Sequence, residues 1–193
     1  MPTNTPIKSR RLFIGLPLSS ELLTTIGHVR ERLSQKTSIR WMPPENLHVT
    51  AFFIGKVQED QMESLRSSLA QIASSSVAFE LVLQSYLYMP PRKPRMIWAE
   101  FAESSEFTLL VRTIGEHIGH LREVAESKEP RPHVTLARMK YLAPKDRVSL
   151  SNAPPVRLEV MGFNLYESFL SSEGSRYEVV ESFQMKVEGL IPG

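Results

Sequence analysis

The chain has 193 residues, 41% of them apolar and 23% charged, with both signs mixed along its length; this is the composition of one medium globular domain or two small lobes on a shared core, not of a disordered chain. A formal net charge of +2 gives no general grip on nucleic acid, though it leaves room for a local basic site. The absence of cysteine excludes disulfides, thiolate nucleophiles and cysteine-based zinc sites, and suits a reducing compartment.

A strand is predicted over RLFIGLPL, residues 11–18. Ser19 or Ser20 then caps a helix with Leu22, Leu23, Ile26, Val29 and Leu33 on its apolar side. Pro17 and the polar Ser19-Ser20-Glu21 interrupt any signal-peptide core, and no apolar run reaches the roughly 18 residues of a membrane span. A soluble, cytoplasmic chain is the expectation. Pro43-Pro44 breaks the chain before a strand that opens His48-Val49-Thr50. A helix is predicted from about Gln58 to Ala73, with Met62, Leu65, Leu69 and Ile72 at helical spacing, and SSSVAFELVLQSYLY then reads as a turn and a strand.

The second half repeats this plan. PRMIWAEFAE is a strand. Ser104-Ser105-Glu106 caps a helix with Phe107, Leu110, Val111, Ile114 and Ile118 on one side. RPHVTLAR is a second His-Val-Thr strand, beginning at His133. His48 and His133 are 85 positions apart, and so are the two Ser-Ser-Glu caps. Farther on, ELVLQSYLY and LEVMGFNLY pair best about 77 apart, so the second copy is shorter after its His strand; Pro144, Pro154 and Pro155 fit a broken segment there. VRLEVMGFNLYES and SRYEVVESFQMKV read as a final strand pair with a turn near Gly174. The expected architecture is a duplicated α+β chain, half-repeats about 10–90 and about 95–188, forming two lobes about a pseudo-twofold axis with a cleft between.

On a strand, alternate residues share a face. His48, Thr50 and Phe52 therefore share one face, with Leu47, Val49 and Phe53 on the other; His133 and Thr135 lie opposite Val134 and Leu136. Each His-x-Thr presents an imidazole and a hydroxyl roughly 7 Å apart along the strand. Two such pairs facing each other suit a phosphodiester. One neutral imidazole activates water and one imidazolium protonates the departing oxygen, both forms being accessible near a pKa of about 6.5. The hydroxyls donate to phosphate oxygens as charge builds up on them. A metal site lacks a third ligand at useful spacing. His117 and His120 sit at i, i+3 near a helix end, where a histidine complements the dipole, and His28 reads as an exposed helix residue. Arg131, Arg138 and Lys140 cluster in sequence near the second motif, and Arg92, Lys93 and Arg95 form a proline-rich loop that either holds a phosphate-bearing ligand or is simply solvated; Trp41, Phe53, Tyr86, Tyr88 and Trp98 are core residues or faces on which a base can stack.

RLFIGLPL, RWMPPENLHVTAFFIG, PRMIWAEF, RPHVTLAR and LYESFLSSEGSRYEVV, in this order and spacing, resemble the 2H phosphoesterase superfamily, and within it the bacterial and archaeal RNA 2′,3′-cyclic phosphodiesterases, once called 2′-5′ RNA ligases. The resemblance spans about residues 10–185. It implies a bilobal α+β fold: two antiparallel sheets lining a cleft, helices outside. It also implies hydrolysis of 2′,3′-cyclic phosphate ends of RNA or nucleotides to 2′-phosphomonoesters without metal; no cofactor and a monomeric chain are the expectation. Carried onto this sequence, His48 and His133 are the acid–base pair, Thr50 and Thr135 the phosphate hydroxyls, and Arg138 a phosphate-holding arginine. Strict alternation sets Arg138 on the face away from His133, whereas Arg131 shares that face and is the second candidate. Ala51 is smaller than the aliphatic residue common after the first threonine. The competing reading is a protein that binds RNA ends or nucleotides without turnover, although binding alone needs no pair of titratable groups.

Overall fold

The computed structural model describes residues 9–33, 39–122, 131–140, 150, 153–172 and 174–187. Its elements run β1 (Ser9–Pro17), α1 (Ser20–Leu33), β2 (Ile39–Trp41), β3 (His48–Gln58), α2 (Met62–Ser75), β4 (Phe79–Met89), β5 (Met96–Phe101), α3 (Ser105–Ile118), β6 (His133–Met139), β7 (Arg157–Val160), β8 (Gly162–Ser171) and β9 (Gly174–Gln184). The serine caps act where the sequence puts them. Ser19 Oγ accepts from the Leu22 N–H at 3.2 Å and Ser104 Oγ from the Phe107 N–H at 3.1 Å, contacts typically worth about 1 kcal/mol each. Helix α2 starts later than predicted, because β3 continues to Gln58 and a 3-10 turn at Glu59–Gln61 intervenes.

The described strands form one antiparallel sheet in the order β7-β4-β5-β6-β3-β1-β8-β9, with β2 added alongside β6. Two sheets were expected; they are continuous, but only narrowly. Strands β3 and β6 meet at the single pair Val49–Val134, and beyond it β2 takes over as the neighbour of β6. The lobes also differ from the two halves of the chain. Strand β4, from the first half, pairs with β5 and β7, whereas β8, from the second, pairs with β1 and β9.

The predicted final strand pair is three strands, because the chain breaks at Met161. Strand β7 goes to β4 and β8 to β1. Gly162, just after the break, lies so close to the Phe183 carbonyl that a Cβ there would overlap it. Helix α3 packs on β3, and α2 packs on α3 and on β9. One continuous core joins these layers, including Leu12, Val49, Leu69, Ile114, Val134 and Leu165. The segment after the second His strand, where the sequence suggested a shortened, broken stretch, lies mostly outside the described residues, Pro144 included.

Candidate active site

The central strands place the two His-Val-Thr motifs side by side. Val49 and Val134 pair across the antiparallel ladder and both are fully buried. In that register the flanking positions set His48 opposite Thr135 and Thr50 opposite His133. All four point away from the valines, since alternate residues share a face. A cleft of about 420 Å³ opens on this face, lined by His48, Thr50, Thr135 and Arg138 among others. His133 is not among the lining residues, but it lies near enough to His48 to help lower that residue's pKa.

Each strand carries a bulge just past its threonine. On β3 the register with β1 shifts between the Ile14–Phe52 and Gly15–Thr50 pairs; on β6 the register with β5 shifts between Ile97–Ala137 and Trp98–Thr135. A bulge inserts one residue and reverses the alternation beyond it. Two corrections follow. Phe52 is buried beneath α3 and Phe53, 39% exposed, lines the cleft instead. Arg138 reaches the cleft face that strict alternation denied it.

The imidazoles are held alike. His48 Nδ1 is 2.8 Å from the Asn46 carbonyl and His133 Nδ1 is 2.7 Å from the Arg131 carbonyl. A carbonyl only accepts, so each Nδ1 carries the proton and each neutral ring keeps its lone pair on Nε2. The Thr50 hydroxyl then donates to His48 Nε2 at 3.0 Å.

Their surroundings differ. The His48 ring packs with Phe13, Tyr166 and the edge of Tyr177, with centroids 4.8, 5.5 and 5.3 Å away. Desolvation by this packing lowers its pKa to about 4; the Asn46 carbonyl opposes the shift and His133 adds to it. Gly15 makes room for this arrangement, since a Cβ there would lie 3.0 Å from the ring. His133 instead stacks on Trp98, with centroids 3.6 Å apart and planes 18° from parallel.

Other predicted residues lie elsewhere. Arg131 pairs with Glu100 and lines a second groove with Ser104 and Arg112. Arg92, Lys93 and Arg95 are exposed in the β4–β5 loop, outside the cleft lining. Trp41 lines the cleft; Tyr86 is buried in the core and Tyr88 is not among the lining residues. His28 faces Glu31 on exposed α1, and His117 Nδ1 contacts the Thr113 carbonyl. Among the described residues no three His, Cys, Asp or Glu side chains come together as a metal site, and no helix is long and apolar enough to cross a membrane.

Sequence reasoning missed Asn46 and Arg40. Asn46 is buried; its Nδ2 donates to the Ser175 carbonyl at 2.7 Å and its Oδ1 accepts from the Tyr177 N–H at 3.2 Å. It thus ties the start of β3 to β9 while its own carbonyl orients His48. Its only signal was its place two residues before the histidine. Arg40 was legible as a residue but not as a neighbour of the site, because β2 was not foreseen.

A curled antiparallel sheet with two His-x-Thr strands adjacent at its centre is a 2H phosphoesterase architecture. Residues 18–171 match the family model described as the 2′-5′ RNA ligase superfamily, and the chain belongs to that superfamily. A Thermotoga maritima protein named RNA 2′,3′-cyclic phosphodiesterase is 24% identical over 180 residues, covering 91% of this chain and 96% of that protein. A Thermus thermophilus protein of the same name is 27% identical over 188 residues, 92% of this chain and 91% of its own. The crystal structure of TT0787 from Thermus thermophilus superposes with a TM-score of 0.82 at 26% identity, over 92% of this chain and 99% of that one. Escherichia coli LigT complexed with 3′-AMP shares the fold, with a TM-score of 0.78 at 20% identity, over 93% and 99% of the two chains.

Proposed function

We propose that this chain hydrolyses 2′,3′-cyclic phosphate ends of RNA or nucleotides to 2′-phosphomonoesters, with the two imidazoles as acid and base and no metal. The observation that carries this reading is the matched anchoring of the rings. Each Nδ1–H is held by the carbonyl two residues earlier, so Nε2 is the proton-transfer atom of each ring, with the Thr50 hydroxyl turning from His48 Nε2 to the phosphate when substrate binds. One neutral imidazole takes a proton from water as its oxygen attacks phosphorus. The P–O3′ bond breaks, and the other imidazole, protonated, delivers its proton to O3′. The Thr50 and Thr135 hydroxyls and the Arg138 guanidinium stabilise charge on the phosphate oxygens. The names of the relatives support this reading.

The same groups can act on a 5′-hydroxyl RNA end in place of water, joining it to the 2′-phosphate as O3′ leaves. The proposal takes the chain as a cytoplasmic monomer of one domain, with half-repeats about 10–90 and about 95–188 and a single site.

The test is incubation with adenosine 2′,3′-cyclic phosphate and EDTA, the product being identified by phosphorus NMR. Adenosine 2′-phosphate is the expected product. His48→Ala and His133→Ala should each lower kcat/KM by about 10²–10⁴-fold. Unchanged cyclic phosphate would retire catalysis in favour of an RNA-end-binding protein; activity lost to EDTA alone would overturn metal independence. A substrate with sulfur in place of O3′ assigns the roles, because the variant lacking the acid is the one that a better leaving group rescues.

A further inference from the structure

The charge lining the cleft exceeds what one cyclic phosphate needs. Arg11, Arg40 and Arg138 line it, and among the described residues no aspartate or glutamate does. Elsewhere arginines find carboxylates: Arg10 meets Glu167 at 2.6 Å, Arg66 meets Glu181 at 3.1 Å, and Arg131 and Arg157 pair with Glu100 and Glu80. None of the three cleft arginines has such a partner among the described residues. Arg11 lies over the Phe53 ring, 5.3 Å from its centroid, whereas Arg40 and Arg138 form a pair of their own.

These two stand directly opposite each other in the β2–β6 ladder. Like charges placed so are destabilising, and among the described residues no carboxylate pairs with either. The position of Arg40 is also built. Its guanidinium lies against Gly174 at the β8–β9 tip, where a Cβ would overlap it and where φ is +131°. Both features favour glycine there.

A cyclic phosphodiester carries one negative charge. The next charge along an RNA end is the phosphate on the 5′ oxygen of the same terminal nucleoside. Counted on β5, Arg138 lies two paired steps beyond Thr135, roughly 7 Å of strand. Arg40 is beside it, farther from the histidines than the threonines are.

We propose that Arg40 forms a second anion subsite, which binds the phosphate on the 5′ side of the terminal nucleoside. The cleft then selects RNA ends and 5′-phosphorylated nucleotides over nucleoside cyclic phosphates. Arg40 is a specificity residue in this arrangement and takes no part in proton transfer. The proposal rests on the cyclic phosphodiesterase reading above.

The test compares calorimetric affinities for two products, adenosine 2′,5′-bisphosphate and adenosine 2′-phosphate. The wild-type chain should prefer the bisphosphate by about tenfold or more, as expected for a charge-assisted guanidinium–phosphate contact. Arg40→Ala and Arg40→Gln should bring that ratio close to one, and Arg40→Lys should keep part of it. The same ratio should appear in kcat/KM for adenosine 2′,3′-cyclic phosphate with and without a 5′-phosphate. Equal wild-type affinities overturn the subsite, and so does a preference that survives in both Arg40→Ala and Arg40→Gln. If neither cyclic substrate turns over, the phosphodiesterase reading fails while the product affinities still decide the subsite.

Discussion

At His48 the packing of Phe13, Tyr166 and Tyr177 has a consequence for folding as well as for chemistry. Its pKa is lowered from 6.5 to about 4, chiefly by desolvation. An unfolded chain takes up this proton near 6.5 and the folded chain only near 4. Between those values the unfolded state binds more protons, so stability rises with pH. The contribution is fully present above about 6.5 and is lost as pH falls toward 4, by about 3 kcal/mol at 1.36 kcal/mol per unit. Denaturant melts at pH 4 and pH 7 measure it. His48→Gln should show a pH dependence smaller by about that amount, and an unchanged slope would mean that the ring is not desolvated. The histidine itself was legible, because its motif recurs 85 positions on. Its lowered pKa was not, since Phe13, Tyr166 and Tyr177 come from three other strands and Gly15 supplies the room. A phosphate bound as proposed would favour the protonated ring and make His48 more basic.

Among the elements, strands were read well up to each threonine and poorly beyond it. Period-two alternation assumes one residue per ladder step, and a bulge breaks that assumption without altering composition. Ala51-Phe52 and Leu136-Ala137 are each two buried residues in succession. That doublet was the available signal, and its recurrence in both motifs explains why Phe53 and Arg138 reach the cleft together. Strand β2 was missed because three residues give no period to count. The break at Met161 was missed because VRLEVMGFNLY is continuous as a pattern; only Gly162 marks it. Gly162→Ala tests that reading. The added methyl meets the Phe183 carbonyl, which is fixed in the β8–β9 ladder. Such overpacking typically costs about 1–3 kcal/mol. The guanidinium midpoint should fall while the slope stays constant, because the surface exposed on unfolding is unchanged. A variant as stable as the parent would show that the two strands separate there without strain.

Over the whole molecule, the 85-residue echo suggested two halves, each a lobe, but the strand pairing crosses between them. Strand β4 has its partners, β5 and β7, in the second half, and β8 pairs with β1 of the first. Helix α3 of the second half packs on β3 of the first, and α2 of the first packs on β9 of the second. A sequence repeat reports which segments are alike, not which of them pair, so this exchange lay beyond its reach. It predicts that the fold unfolds as one cooperative unit, although its strand order is nearly palindromic about the Val49–Val134 pair. Cutting the chain at residues 90–93, where the β4–β5 loop is exposed, separates the halves without removing a ladder residue. A fragment ending at Met89 then leaves β4 with no strand beside it and one edge of β1 bare; such unpaired backbone and exposed apolar faces favour aggregation over folding. Each fragment expressed alone should give no cooperative unfolding transition by circular dichroism. The two expressed together should associate, restore the β4–β5 and β1–β8 pairings, and regain a single transition together with hydrolysis of adenosine 2′,3′-cyclic phosphate. A cooperative transition in either fragment alone would place its stability within one half and contradict the exchange.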